Sequence, residues 1–142
     1  MRHVSRSLKD TEKIARELLG ALQARAGATV ITLSGNLGAG KTAFVQAVGR
    51  ILGVKSTVNS PTFVIIKKHQ TEKGPHKFLF HIDAYRLQNE KELKSLGWAE
   101  ILKDKNHIIF LEWPERVRKI MPRHAHKIKI SHLKDGDRQF EL

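Results

Sequence analysis

The run Gly35-Asn36-Leu37-Gly38-Ala39-Gly40-Lys41-Thr42 constrains this chain more than any other stretch. It fits the phosphate-binding loop pattern G-x-x-x-x-G-K-[ST]. Glycines at those spacings let the backbone curl until successive N–H groups face inward, toward an anion. Lys41 follows as a mobile point charge for outer phosphates, and Thr42 offers a hydroxyl to Mg²⁺. The flanks agree. Thr29 to Ser34 is β-rich, Ala43 to Leu52 has the composition of a helix, and Gly53 reads as its stop. Strand, glycine loop and helix in that order predict an α/β unit that holds an anion at a helix N-terminus.

The rest of the chain supplies further elements. Asp10 or Thr11 is expected to cap a first helix, whose apolar face carries Ile14, Leu18 and Leu22 with Ala15 and Leu19 beside them. Ser60-Pro61-Thr62 reads as a loop, Phe63 to Ile66 as a strand, and Phe78 to Ile82 as its antiparallel partner across the turn at Glu72 to Pro75. Asn89 is expected to cap a helix through Leu93 and Leu96 to Ile101, with Gly97 as its weak point. His107 to Glu112 is a nearly continuous apolar strand, the pattern of burial on both faces. A short helix over Glu115 to Ile120 follows Pro114. Ile128 and Ile130 alternate with lysines, Asp135-Gly136 suits a tight hairpin, and Arg138 to Leu142 would close the sheet edge. With no linker or repeat visible, residues 1–142 read as a single three-layer α/β domain with a mixed, mostly parallel sheet plus antiparallel hairpins.

Composition narrows the function. The absence of cysteine excludes a disulfide scaffold, zinc–thiolate sites and a cysteine nucleophile. No apolar run approaches the ~20 residues that span a bilayer. The basic N-terminus lacks a following apolar segment, so a cytoplasmic protein is expected. With 26 basic and 14 acidic side chains the formal charge is +12. A field of that sign attracts polyanions. The stretch from Arg116 to His132 holds Arg116, Arg118, Lys119, Arg123, Lys127 and Lys129 without one acid. It suits RNA, an acidic protein surface, or simply a solvated face.

A phosphate-binding loop needs a carboxylate to organise Mg²⁺ or water. In open α/β sheets ligands gather at the C-terminal ends of strands. Asp83 and Glu112 end the two apolar strands and are the candidates. Ser60 and Thr62 lie where such proteins carry a segment that senses the terminal phosphate. Trp113 is suited to a nucleotide base or to the core. Tyr85 and Arg86 are suited to a partner or to packing. His81 alternates with core residues and reads as structural. His124, His126 and His132 lack a metal-binding spacing.

In order along the chain, GNLGAGKT (35–42), SPTF (60–63), HIDAYRL (81–87) and EWP (112–114), with Glu92 to Gly97 between the last two, resemble the TsaE (YjeE) family of small bacterial P-loop ATPases. The resemblance covers nearly the whole chain. It implies a P-loop NTPase domain that binds and hydrolyses ATP with Mg²⁺, weakly on its own. Such proteins serve threonylcarbamoyladenosine formation in tRNA by acting on a complex of TsaD and TsaB, without transferring the group themselves.

Carried over by position, Gly35, Asn36, Leu37, Gly38, Ala39, Gly40, Lys41, Thr42 and Ala43 would hold the phosphates. Thr42 and Glu112 would ligate Mg²⁺. Lys41, Asp83 and Glu112 would be catalytic, with Asp83 orienting the metal or the attacking water. Thr62, Trp113, Thr11 and Arg138 would complete the nucleotide contacts. Asn36 stands where the family carries an acid, and Ala84 is smaller than the usual bulky apolar residue. No arginine finger is evident beside the motifs. The residues themselves leave two other functions open: a small-molecule kinase whose basic segment closes over an acceptor, and a nucleotide-gated RNA-binding module.

Overall fold

A computed structural model describes residues 1–36, 38–55 and 65–142. A seven-stranded sheet runs in the order β1-β7-β6-β2-β5-β4-β3. The strands are β1 (Arg2–Ser5), β2 (Thr29–Ser34), β3 (Ile66–Gln70), β4 (Phe78–Asp83), β5 (His107–Glu112), β6 (His126–His132) and β7 (Arg138–Glu141). The central strands β6, β2, β5 and β4 are parallel, and β3, β7 and β1 add antiparallel margins. The helices are α1 (Leu8–Ala21), α2 (Lys41–Ile51), α3 (Glu90–Ser95) and α4 (Trp98–Lys103).

The strand period of two sorts β5 between two cores. Ile108 and Phe110 join the cluster under α1 and α2, with Phe44, Val48, Leu33, Ile128 and Phe140. Ile109 and Leu111 join the opposite cluster under α3 and α4, with Val30, Ile82, Leu93, Trp98 and Val117. Every residue of β5 is buried, as its unbroken apolar run predicts. Phe44 anchors α2 by packing on Phe110 and Phe140, with centroids 6.3 and 5.3 Å away. The fold is therefore the expected three-layer α/β sandwich. It fixes the start of α2 against the C-terminal ends of β2, β4 and β5.

Several expected boundaries move. Ser7, not Asp10 or Thr11, caps α1: its hydroxyl accepts from the Asp10 N–H at 3.1 Å. Asp10 instead accepts the N–H of Arg6, the residue before the cap, at 2.9 Å. The single helix expected from Asn89 to Ile101 is two, because Gly97 adopts φ +91 and starts α4. The segment Pro114–Ile120 is a 3₁₀ turn pair kinked at Val117 rather than an α-helix. The strand before the first hairpin is Ile66–Gln70, and Phe63 and Val64 lie outside the described residues. The edge beyond β7 is not open: β1 pairs with it, Arg2 opposite Glu141.

Candidate nucleotide site

The glycine loop turns β2 into α2. Gly35 has φ +146, and a Cβ there would overlap the Ile130 carbonyl oxygen, so only glycine lets the loop lie against β6. Gly40 has φ +106 and forms the left-handed N-cap of α2; a Cβ on it would meet the Arg138 side chain at 2.8 Å. Among the described residues no side chain caps this helix, so its first N–H groups are left for a ligand. The Asn36 carbonyl accepts the Ala39 N–H at 3.0 Å.

A cavity of about 420 Å³ opens at this helix start. Gly38, Gly40, Lys41, Thr42 and Ala43 form one wall, and Asp83, Glu112 and Trp113 another. Tyr85, Arg86 and Arg138 complete it. Gly35, Asn36 and Ala39 support the loop without lining the cavity, and Ala39 is buried in the core. Leu37, Ser60 and Thr62 lie outside the described residues. Thr11 lies within α1, buried, its hydroxyl 2.7 Å from Ser5 Oγ, outside the residues that line this cavity.

Lys41 is only 4% exposed. Its ammonium donates to the Gly35 carbonyl and lies 3.7 Å from the centre of the Trp113 ring. Burial pulls its pKa below the ordinary lysine value, against the opposing pull of Glu112, Glu115 and Asp83. Thr42 Oγ1 donates to Glu112 Oε2 at 3.3 Å. The same oxygen meets His81 Nε2 at 2.5 Å. Asp83 lies directly across the strands from Glu112 in the parallel register. Burial raises the Asp83 pKa; the Tyr85 N–H, donating to Asp83 Oδ1 at 3.0 Å, pulls the other way, and Glu112 raises it further. Ala84 is fully buried, and its N–H donates to the Glu112 carbonyl at 3.0 Å.

These donors fit a hard divalent cation. One hydroxyl and one carboxylate stand together, and among the described residues no cluster of three His, Asp or Glu forms a protein cage. Mg²⁺ is held in this manner, by few protein oxygens plus phosphates and water. The histidines at 124, 126 and 132 form no such cluster either.

Two features go beyond the sequence reading. Arg86, which reads as suited to a partner or to packing, lines the cavity beside the expected Arg138, so cationic charge beyond Lys41 is present. Arg86 belongs to the HIDAYRL run, whose spacing past the Asp83 strand end was the available signal. His81, which reads as a core histidine, bonds the candidate metal carboxylate. Its position two residues before Asp83 puts both on the same face of β4.

Phosphate-binding geometry at the head of α2, facing carboxylates on adjoining strand tips, makes this a P-loop protein of the ATPase type. The family model for "Threonylcarbamoyl adenosine biosynthesis protein TsaE" matches residues 5–140. The chain belongs to the TsaE family. It is 36% identical over 131 residues to the tRNA threonylcarbamoyladenosine biosynthesis protein TsaE of Bacillus subtilis, covering 92% of this chain and 77% of the relative. The protein of the same name from Treponema pallidum is 32% identical over 142 residues, covering 100% and 99%. That from Aquifex aeolicus is 40% identical over 112 residues, covering 78% and 74%. A crystal structure of Bacillus subtilis YdiB superposes with a TM-score of 0.74 at 25% identity, covering 99% of this chain and 82% of the other. Among the described residues no helix is long and apolar enough to cross a membrane.

Proposed function

We propose that this chain is a Mg²⁺-dependent ATPase, slow on its own, that serves threonylcarbamoyladenosine formation in tRNA by acting on a TsaD–TsaB transferase complex. The convergence of Lys41, Thr42, Asp83 and Glu112 on one cavity at the head of α2 carries the reading. Lys41 and the loop amides hold the phosphates of ATP. Thr42 and Glu112 hold the cation, which when bound offsets charge on the transferred phosphoryl group. Asp83, one strand from Glu112, orients the attacking water. Arg138 and Arg86 add positive charge toward the same space.

Partner dependence is supported by the rim. Tyr85 and Arg86 are exposed there, and the Arg116 guanidinium lies 5.5 Å from the Tyr85 ring. A protein that engages these residues acts directly on the nucleotide. Contact with tRNA is supported by a second cavity of about 570 Å³, where Arg118, Arg123 and Lys127 outnumber the single acid Glu115 beside Thr32 and Ser34. Among the described residues none of these three cations has an ion-pair partner.

The test is ATP hydrolysis by the purified chain, alone and with TsaD plus TsaB. Low turnover that rises with the pair is expected. Fast hydrolysis indifferent to the pair overturns the reading, and ADP release that instead follows an added metabolite identifies a kinase. Arg118→Glu with Arg123→Glu is expected to lower tRNA-dependent activity and flatten its salt response; unchanged activity removes the tRNA contact.

A further inference from the structure

We infer that His81 is a positioning residue for the magnesium site, holding the Glu112 carboxylate against Thr42. The inference rests on the proposed role of Glu112 as a cation ligand. Its ground is one side chain whose burial is hard to justify by packing. His81 is 0% exposed, on the face of β4 that carries Leu79 toward the α1–α2 core. Its cross-strand neighbour in β5 is Phe110. An apolar side chain fills such a place without desolvating a ring nitrogen. Nδ1 has no hydrogen-bond partner among the described residues. Among the described residues the ring's one hydrogen bond runs from Nε2 to Glu112 Oε2, at 2.5 Å.

The chemistry of the pair sets the direction. An ionised carboxylate only accepts, so Nε2 carries the proton and donates. Nδ1 is then a bare lone pair, which costs less to leave unpaired than an N–H. Thr42 Oγ1 donates to that same Oε2 at 3.3 Å. Two donors therefore fix one oxygen of Glu112, while Oε1 takes no hydrogen bond from the described residues. A carboxylate pinned through one oxygen keeps its rotamer and presents the other. This is how a supporting partner orients a metal ligand, and losing such a partner costs about 10–100-fold in metal affinity.

The experiment titrates Mg²⁺ into ADP-bound protein and follows ADP affinity with Mg²⁺ and with chelator, alongside thermal melting. His81→Leu is expected to leave ADP affinity in chelator within about threefold and to raise the half-saturating Mg²⁺ by about tenfold or more. His81→Gln, whose amide reaches the Nε2 position, should recover most of the Mg²⁺ response. Equal loss with and without Mg²⁺, or an unchanged Mg²⁺ midpoint, overturns the inference. Should His81→Leu not fold, His81→Asn replaces it: its amide is too short to reach Glu112, and a midpoint equal to that of His81→Gln overturns the inference. Wild-type ADP binding that ignores Mg²⁺ overturns the proposed cation site and this inference together. A Mg²⁺-dependent wild type with an indifferent His81→Leu overturns this inference alone.

Discussion

Lys41 holds its ammonium 3.7 Å from the centre of the Trp113 ring while donating to the Gly35 carbonyl. The cation thus rests on an aromatic face and the loop's own backbone. Trp113 reaches this position with φ +61, a left-handed conformation uncommon for a bulky residue and worth about 1–3 kcal/mol of strain. Phosphate oxygens compete for the same ammonium and bind it more strongly than a ring does. Nucleotide should therefore draw Lys41 off Trp113. The other tryptophan, Trp98, is buried and donates to the Ile120 carbonyl at 3.2 Å. In a Trp98→Phe protein, Trp113 emission should change on adding ADP, and adding Lys41→Ala should abolish that change. Constant emission with saturating ADP would mean that the ammonium stays on the ring.

The two charged groups of the site should fail differently when removed. Lys41→Ala deletes charge-assisted contacts to phosphate, each worth about 1.5–3 kcal/mol, so nucleotide affinity should fall roughly 10–100-fold. Glu112→Ala removes the proposed cation ligand and leaves Lys41 in place. Its ADP affinity in chelator should stay near wild type while Mg²⁺-dependent turnover drops about 100-fold or more. Calorimetry with and without Mg²⁺, beside steady-state hydrolysis, separates the two. Normal turnover by Glu112→Ala would remove Glu112 from the site.

Much of this site is readable before any fold is known, because its chemistry is local. Gly35 to Thr42 encode their own curvature, and β5 announces itself by an apolar run ending in Glu112. What the chain conceals is set by distant pairing. β1 is four residues of mixed polarity and becomes a strand only because β7 lies beside it. Arg138 reaches Gly40 because β7 returns next to β6. Thr11, which the family resemblance puts at the nucleotide, lies beside Ser5 across the β1–α1 turn, their hydroxyls 2.7 Å apart. His81 is indistinguishable from a core histidine until the β4–β5 register sets it against Glu112.

Asp83 should trade stability for turnover. Burial first, and then the neighbouring Glu112, raise its pKa above the ordinary carboxylate value. A raised carboxylate pKa means that ionisation in the fold costs stability. That cost is absent below the unfolded pKa and fully present once pH exceeds the folded one. Asp83→Asn keeps an oxygen for the Tyr85 N–H. At pH 7.5 it should stabilise the protein by less than about 1 kcal/mol, given solvent screening at a part-exposed site. The gain should vanish near pH 3.5, and ATP turnover should fall at least about tenfold. Denaturant midpoints at the two pH values test the first part; a gain that persists in acid would exclude a charge origin.

His76 should make the fold acid-sensitive. Its Nε2 lies 3.1 Å from Thr29 Oγ1, and burial holds its pKa below the ordinary imidazole value. The neutral ring is therefore favoured in the fold. That stability is complete above about pH 6.5, the unfolded value, and drains as pH falls toward the depressed folded one. His76→Gln keeps a polar partner for Thr29 without a group that charges in this range. Between pH 7.5 and 5.5 its melting temperature should fall less than that of the wild type. Equal falls would assign the acid sensitivity to other groups.

Two glycines with positive φ should respond unequally to a methyl group. Gly97 has φ +91, and a Cβ added to it would meet nothing within 4 Å, so Gly97→Ala faces only left-handed backbone strain. That strain is about 1–2 kcal/mol, partly offset by the stiffer unfolded chain, for a net loss of about 1 kcal/mol. Gly35→Ala would drive its Cβ into the Ile130 carbonyl oxygen, which is backbone of β6 and cannot rotate aside. Either β6 or the phosphate loop must shift. Gly35→Ala should lose more than about 2 kcal/mol and most of its nucleotide affinity, whereas Gly97→Ala should bind nucleotide as the wild type does. Urea unfolding and ADP titration of both variants check this; equal costs would mean that the loop lifts off β6 freely and that its approach to Ile130 does not shape the phosphate site.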